Sequence, residues 1–436
     1  MSVMKALRTY RQQLSASRGG GDGERATWHW NMEVSFEWGS DDAYVVSGTF
    51  RSTNGDSWPE LASLNALLAE PGDAVRVRSL AHVDEALLSC WRGLGIVAPG
   101  LGWLPEEAAL PSGLLICFGN GVAEERLAAR YGLGLFGGGA ESFAVVNSKA
   151  RVKNWCLELG VATPEGRVCH TLDEVLDTTR QLLARFERVA IKEAYGASGR
   201  GILLASSVDR VQRLLSRQGR SRVIAEGCVV EGWYPARVSH NSQWLVLPSG
   251  EVSPLGSSEQ LLSDQKYKGN FMPSPERARE PAALYAQQRR MARHAFEVGY
   301  RGVLGIDSVL TEQGECFPVI ELNGRFNLST YALAVLEKLG HRGPACLRSY
   351  TVPRSHALAL QDLFESGGRL HLPLYCAERG GVLPLGFTGQ NTPASKGLVR
   401  FIPLILGESE ERVLALGAQC DEVMARVGAG GFGGER

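Results

Sequence analysis

The sequence predicts an α/β protein built from more than one domain. The first observation is length, since 436 residues exceed what a single hydrophobic core holds together. The second is an alternation of short apolar runs with amphipathic segments up to about residue 147, the rhythm of a partly parallel α/β layer. The third is a change after residue 148 to longer strand-like runs joined by tight turns. A small mixed α/β segment closes the chain.

In order, residues 1–17 read as a short helix ended by the breaker "SRGGGDGER". "WHWNMEVSFEW" and "DDAYVVSGTF" are rich in aromatic and β-branched residues and predict an early pair of strands. "AVRVRSL" and "GLLICFG" predict strands, while "VDEALLSCWRGLG" and "GVAEERLAARYG" predict helices. Ser148 is a plausible cap for a helix that Gly160 stops. A strand at 166–169, the helix "TLDEVLDTTRQLLARF" and the strand "RVAIKEA" follow. From 223 to about 255 the pattern is strand-like, with a hairpin turn at "PSGE". A charged helix at 280–298 leads into "GVLGIDSVLT" and "CFPVIELNG", separated by the turn "EQGE". A helix at 329–339, the strands "GGVLPLGF" and "GLVRFIPLIL", and a last helix from 409 complete the chain before a glycine-rich tail. The expected domains are 1–147, 148–345 (divided at 225/226) and 346–436.

Composition narrows the function classes. A formal net charge of −1, with 44% hydrophobic and 21% charged residues, gives no general electrostatic reason to bind nucleic acid or a membrane surface. The nine cysteines are scattered without a C-x-x-C pair, which argues against a local zinc site and for reduced thiols. No secretory signal or spanning run is evident, so a cytoplasmic location is expected.

Two patterns carry chemistry. In "VAIKEAYGASGRGILL" a strand delivers Lys192, and Gly196, Ala197, Ser198, Gly199 and Gly201 form a glycine-rich turn before a second strand. Such a turn lets backbone N–H groups approach phosphate, and the lysine adds a positive charge. An ordinary glycine-rich hairpin is the rival reading. In "VIELNGRFNLST" Glu321, Asn323 and Arg325 alternate along a strand and so share a face. Asp307 lies fourteen residues before Glu321, on what reads as the preceding antiparallel strand. Two carboxylates and an amide oxygen make a hard-oxygen set suited to Mg²⁺. Solvated strand-end polar residues are the rival reading for each taken singly.

In their order, Lys149, Lys192 with its glycine turn, an acid after "VIAEGCVV" begins, and Asp307 followed by Glu321-x-Asn323-x-Arg325 resemble the ATP-grasp ligases. The resemblance covers residues 148 to about 332. It implies an ATP-grasp fold behind an N-terminal α/β domain, with ATP and Mg²⁺ as cofactors and Mn²⁺ as a substitute. By this resemblance Lys149 and Lys192 contact phosphates, and Gly196, Ala197, Ser198, Gly199 and Gly201 form the flap. Glu226, Gly227 and Val229 form the adenine hinge, and Glu231 is the nearest ribose acid. Asp307, Glu321 and Asn323 hold the metal, and Arg325 stabilises the acyl phosphate. Some members carry an arginine two residues before the first metal acid. Here that position is Gly305, so Arg301 joins Arg325 as a candidate.

"LVLPSGEVSPLGSSEQLLSDQKYKGNFMP" and the C-terminal strands resemble a subgroup that includes the peptide ligase of pheganomycin biosynthesis and relatives that load carrier proteins. The implied reaction is ATP-dependent amide formation through an acyl phosphate, in antibiotic or other natural-product biosynthesis. The alternatives are transfer of an amino acid to a carrier-protein thiol, and a catalytically inactive nucleotide-binding module. Implied partners are small amino-acid or peptide substrates, with a carrier protein and a homodimer left open. The cysteines and histidines read as structural.

Overall fold

In a computed structural model of the chain, the described residues are 2–21, 23–34, 43–44, 49–50, 59–196, 201–216, 224, 226–263, 266–273, 281, 283–354, 357–364, 371–389 and 397–429. The first layer is a five-stranded, all-parallel sheet. Its members are β1 (Ala26–His29), β4 (Ala74–Val77), β5 (Gly102–Pro105), β6 (Leu114–Cys117) and β7 (Gly134–Leu135), in the order β5-β4-β1-β6-β7. Two short strands, β2 (Ala43–Tyr44) and β3 (Thr49–Phe50), pair with each other. The early strand expected across 28–38 is shorter than its composition suggested. β1 ends at His29, and residues 32–33 form a turn. Residues 35–42 and 45–48 lie outside the described residues.

Helix Val3–Ser17 buries Val3, Ala6, Leu7 and Tyr10, packing against helix Leu328–Leu339 and strand Val252–Ser263, with Tyr10 on the Phe136 ring. Its Arg11 gives a two-pronged ion pair to Asp73, with Nη2 2.8 Å from Oδ1 and Nη1 2.9 Å from Oδ2. Asp73 also accepts from the Ala26 and Glu70 backbone N–H groups and from Trp28 Nε1. A buried carboxylate needs this many donors to offset its lost hydration.

The second layer is a four-stranded antiparallel sheet of β8 (Gly166–Cys169), β9 (Val189–Lys192), β10 (Ile202–Ala205) and β11 (Cys228–Gly232), in the order β10-β9-β11-β8. Helices Leu172–Leu183 and Val208–Leu215 bury Val175, Leu182, Val211 and Leu215 against it. Thr171 opens the first of these helices with a capping box closed by Glu174, the reciprocal bonding that the T-x-x-E spacing predicts.

The third layer is the largest. It contains β12 (Ala236–Val246), β13 (Val252–Ser263), β14 (Lys266–Met272), β15 (Gly302–Thr311), β16 (Cys316–Asn323), β17 (Ala345–Arg348), β18 (Tyr350–Pro353), β19 (Gly381–Thr388) and β20 (Leu398–Leu406). Its order is β16-β15-β12-β13-β14-β17-β20-β18, with β19 also paired to β20. The expected hairpins at "PSGE" and "EQGE" join β12 to β13 and β15 to β16. The C-terminal strands extend this sheet, because β17 bonds both β14 and β20. One apolar core runs from Leu7, Trp28 and Trp91 in the first layer to Tyr331, Phe401 and Val423.

Candidate active site

The site grows from the β15–β16 ladder. Asp307 stands directly opposite Glu321, and Gly305 opposite Asn323, the pairing that the "EQGE" turn implied. Asp307 Oδ2 accepts from Asn323 Nδ2 at 3.1 Å. Its Oδ1 accepts from Asn241 Nδ2 at 2.6 Å and from Gln260 Nε2 at 3.1 Å. Burial, then repulsion from Glu321, raises the Asp307 carboxyl to about 6 despite these hydrogen bonds. Two facing carboxylates that repel each other form a set that a divalent cation relieves, and Asn323 adds an amide beside them. The Asn323 amide oxygen accepts from Arg325 Nη2 at 2.8 Å. One lone pair of Asn323 Oδ1 is thus taken by Arg325, and the other remains for a cation.

Arg325 bonds Asn327 Oδ1 at 2.8 Å through Nη1 and lies 5.5 Å from the Phe118 ring centroid. Gly305 shows why this arginine rises from β16 and none comes from β15. A Cβ at 305 would stand 2.8 Å from Asn327 Nδ2 and 3.1 Å from Gln243 Nε2. Asn327 bonds Gln243 across that space, and Gln243 in turn holds Thr330 and Asn241. Arg301 is not part of the cluster. It lies six residues before Asp307, about 20 Å along a strand. There its guanidinium bonds the Phe296 and Tyr300 carbonyls and covers the Phe296 ring.

Three buried lysines face the cluster or lie beside it. Lys149 opens helix Lys149–Glu158, its Nζ 3.0 Å from Glu321 Oε1 and 2.8 Å from the Gly196 carbonyl. Lys149 thus links Glu321 to the start of the glycine turn. Lys192, at the end of β9, pairs with Glu231 Oε1. Glu231 Oε2 lies 3.4 Å from Lys153 Nζ, which also bonds Thr163 Oγ1 at 3.1 Å and the Pro164 carbonyl. Burial is the main force lowering the Lys153 ammonium, with Glu231 opposing it. Glu231 is buried and committed to two lysines, so the arrangement does not offer it as a ribose acceptor.

Val229 stands opposite Lys192 in the β9–β11 ladder. With Val152, Cys156, Thr163, Val319 and the three lysines it lines a cleft between the second and third layers. Gly227 sits at a bend with φ +109°, where a Cβ would come within 3.0 Å of Ala150. Glu226, half-buried, precedes it. Gly201 returns the glycine turn to β10, its carbonyl accepting from the Glu193 N–H. Ala197, Ser198 and Gly199 lie outside the described residues.

Sequence reasoning missed Lys153, Asn241, Gln243 and Gln260. Lys153 had a signal, since it falls four residues after Lys149 and so on the same helix face. His240, Asn241, Ser242 and Gln243 had another, being four successive polar residues inside a predicted strand, and all four are buried.

Residues 146–329 match the ATP-grasp domain family model. Over 195 residues the chain is 33% identical to the [butirosin acyl-carrier protein]–L-glutamate ligase of Niallia circulans. That match spans 44% of this chain and 46% of that protein, less than half the length of either. Among solved structures, the biotin carboxylase domain of Hydrogenobacter thermophilus 2-oxoglutarate carboxylase aligns with a TM-score of 0.56 at 12% identity, over 91% of this chain and 90% of that one. Phosphoribosylamine–glycine ligase from Thermotoga maritima aligns with a TM-score of 0.53 at 17% identity, over 91% and 96%. Carboxyaminoimidazole ribonucleotide synthase from Aspergillus clavatus aligns with 0.54 at 13%, over 93% and 99%. These likenesses establish a shared ATP-grasp fold.

Proposed function

We propose, from the ATP-grasp domain at residues 146–329, that the chain is an ATP-dependent carboxylate ligase working through an acyl phosphate. The observation that carries this reading is the Asp307–Glu321 pair, facing across one ladder with Lys149 bound to Glu321 and Arg325 to Asn323. Lys149, Lys192 and the glycine turn would hold ATP phosphates, and Asp307, Glu321 and Asn323 would hold Mg²⁺ or Mn²⁺. When bound, the metal neutralises charge on the transferring phosphoryl group.

The chain's own residues supply position and charge. A substrate carboxylate oxygen forms the new O–P bond while the bond from the γ-phosphorus to its bridging oxygen breaks, releasing ADP. In-line positioning by fixed cations is what this step needs from protein. The half-buried guanidinium of Arg325, beside Asn323, would stabilise the charge that develops on the acyl phosphate. An amine then attacks the acyl carbon, the acyl–phosphate C–O bond breaks, and phosphate leaves with the electron pair. The likeness to a ligase named for joining L-glutamate to an acyl-carrier protein favours a second acceptor, a carrier-protein thiol or amine.

Product analysis with ATP, Mg²⁺ and a panel of amino acids, short peptides and carrier proteins tests the reading. ADP and phosphate are expected, with turnover lost in Glu321→Ala. Formation of AMP and pyrophosphate, or full activity of that variant, sinks it.

A further inference from the structure

Lys153 stands outside the phosphate set of Lys149, Lys192 and the glycine turn, but it is the most deeply buried of the three lysines in the cleft. Its Nζ meets three acceptors: Thr163 Oγ1 at 3.1 Å, the Pro164 carbonyl, and Glu231 Oε2 at 3.4 Å. An ammonium carries three N–H donors, so this set of acceptors holds the charged form against the burial that opposes it.

Thr163 and Pro164 belong to the link between helix Lys149–Glu158 and β8, and Gly166 lays that link onto β11. Gly166 stands opposite Glu231 in the β8–β11 ladder. Its φ is +149°, and a Cβ there would lie 2.1 Å from the Val230 carbonyl oxygen and 2.7 Å from Glu231 Cβ, an approach that needs glycine. Glu231 is thus gripped from two sides, with Oε2 on Lys153 and Oε1 on Lys192.

Burying such a charged trio costs more than burying apolar groups of the same shape, so packing alone does not call for it. The balance of charge does. Without Lys153, Glu231 and Lys192 would form a neutral pair, and Lys149 is already matched by Glu321. With Lys153, three ammonium groups meet two carboxylates, and one positive charge is left over. Within the trio the Lys192 side chain is the most exposed, at 10% against 2% for Lys153, so the excess is presented there.

We propose that Lys153 is a positioning residue for the nucleotide: it neutralises Glu231, so that the charge of Lys192 is left for phosphate. The assignment rests on the reading of Lys192 as a phosphate contact and extends it to a residue that touches no phosphate itself.

The test is calorimetric titration of the full chain with ADP in saturating Mg²⁺, for wild type, Lys153→Met, Glu231→Gln and the double variant. Lys153→Met is expected to bind ADP at least tenfold more weakly. Adding Glu231→Gln to it restores the excess charge, and affinity is expected to return to within threefold of wild type. A lysine that merely braced the link at Thr163 and Pro164 would not be rescued in this way. Undiminished binding by Lys153→Met, or a double variant no tighter than that single one, overturns the assignment. If Lys153→Met misfolds, Glu231→Gln alone decides: affinity equal to wild type or tighter supports the assignment, and tenfold weaker binding overturns it. Wild type that binds no ADP overturns the nucleotide reading itself and the assignment with it.

Discussion

Glu321 gives Oε1 to Lys149, and the same carboxylate is the one proposed to hold Mg²⁺. A cation that takes Glu321 frees Lys149 toward phosphate, and a phosphate that draws Lys149 frees Glu321 toward the cation. Metal and nucleotide would thus each release the group that receives the other. The neighbouring Asp307 has a raised carboxyl at about 6, from burial first and Glu321 second. A carboxyl raised in the folded state contributes stability that is fully present below its unfolded value near 3.8 and is lost as pH climbs through about 6. In protein stripped of metal with chelator, the Tm of wild type is therefore expected to fall relative to Asp307→Asn between pH 4 and 6.5, by on the order of one to three degrees. Saturating Mg²⁺ should abolish the difference. Parallel pH curves for the two stripped proteins would refute the assignment. At this scale Glu321, Asn323 and Arg325 were legible, because period-two spacing along a strand needs no tertiary knowledge. Asn241 and Gln260 were not, because they reach Asp307 from strands whose pairing the local sequence does not state.

Elements were more legible than their partners. Helix Lys149–Glu158 begins where Ser148 caps it, with Ser148 Oγ accepting from the Arg151 N–H. Its register puts Lys149 on Glu321 and Lys153 on Glu231 together. Arg301 misled because type and proximity in sequence outran geometry: a strand carries residues six apart to different ends of a sheet. Helix Val3–Ser17 offers a stability test remote from this site. Asp73→Asn leaves Arg11 with a weakened acceptor in a buried setting, and a loss of about 3–5 kcal/mol is expected, the usual cost of breaking a buried ion pair on one side. Chemical denaturation would measure it. A loss below about 1 kcal/mol would mean that the backbone donors and water hold the helix without the charge.

For the whole molecule, the alternating rhythm of the first 147 residues set one α/β layer apart from the rest of the chain, and the parallel five-stranded sheet matches that rhythm. No such signal showed that β17–β20 extend the large sheet, since edge-to-edge pairing leaves no local pattern in apolar strands. Deleting residues 346–436 would uncover the β14 edge and strip Phe401, Leu404 and Val423 from the shared core. The truncated chain is expected to be aggregated or to lack a cooperative thermal transition. A soluble truncate that melts cooperatively would count against this.

The bond from Trp91 Nε1 to the Pro384 carbonyl, at 2.7 Å, joins residues 293 positions apart. On the ribosome, that separation is a delay. At roughly 5–20 residues per second, about 15 to 60 seconds pass between the synthesis of Trp91 and that of Pro384. Through that interval Trp91 and its apolar neighbours have no lid, and the nascent chain depends on cotranslational helpers or on its own charge to stay apart from other copies.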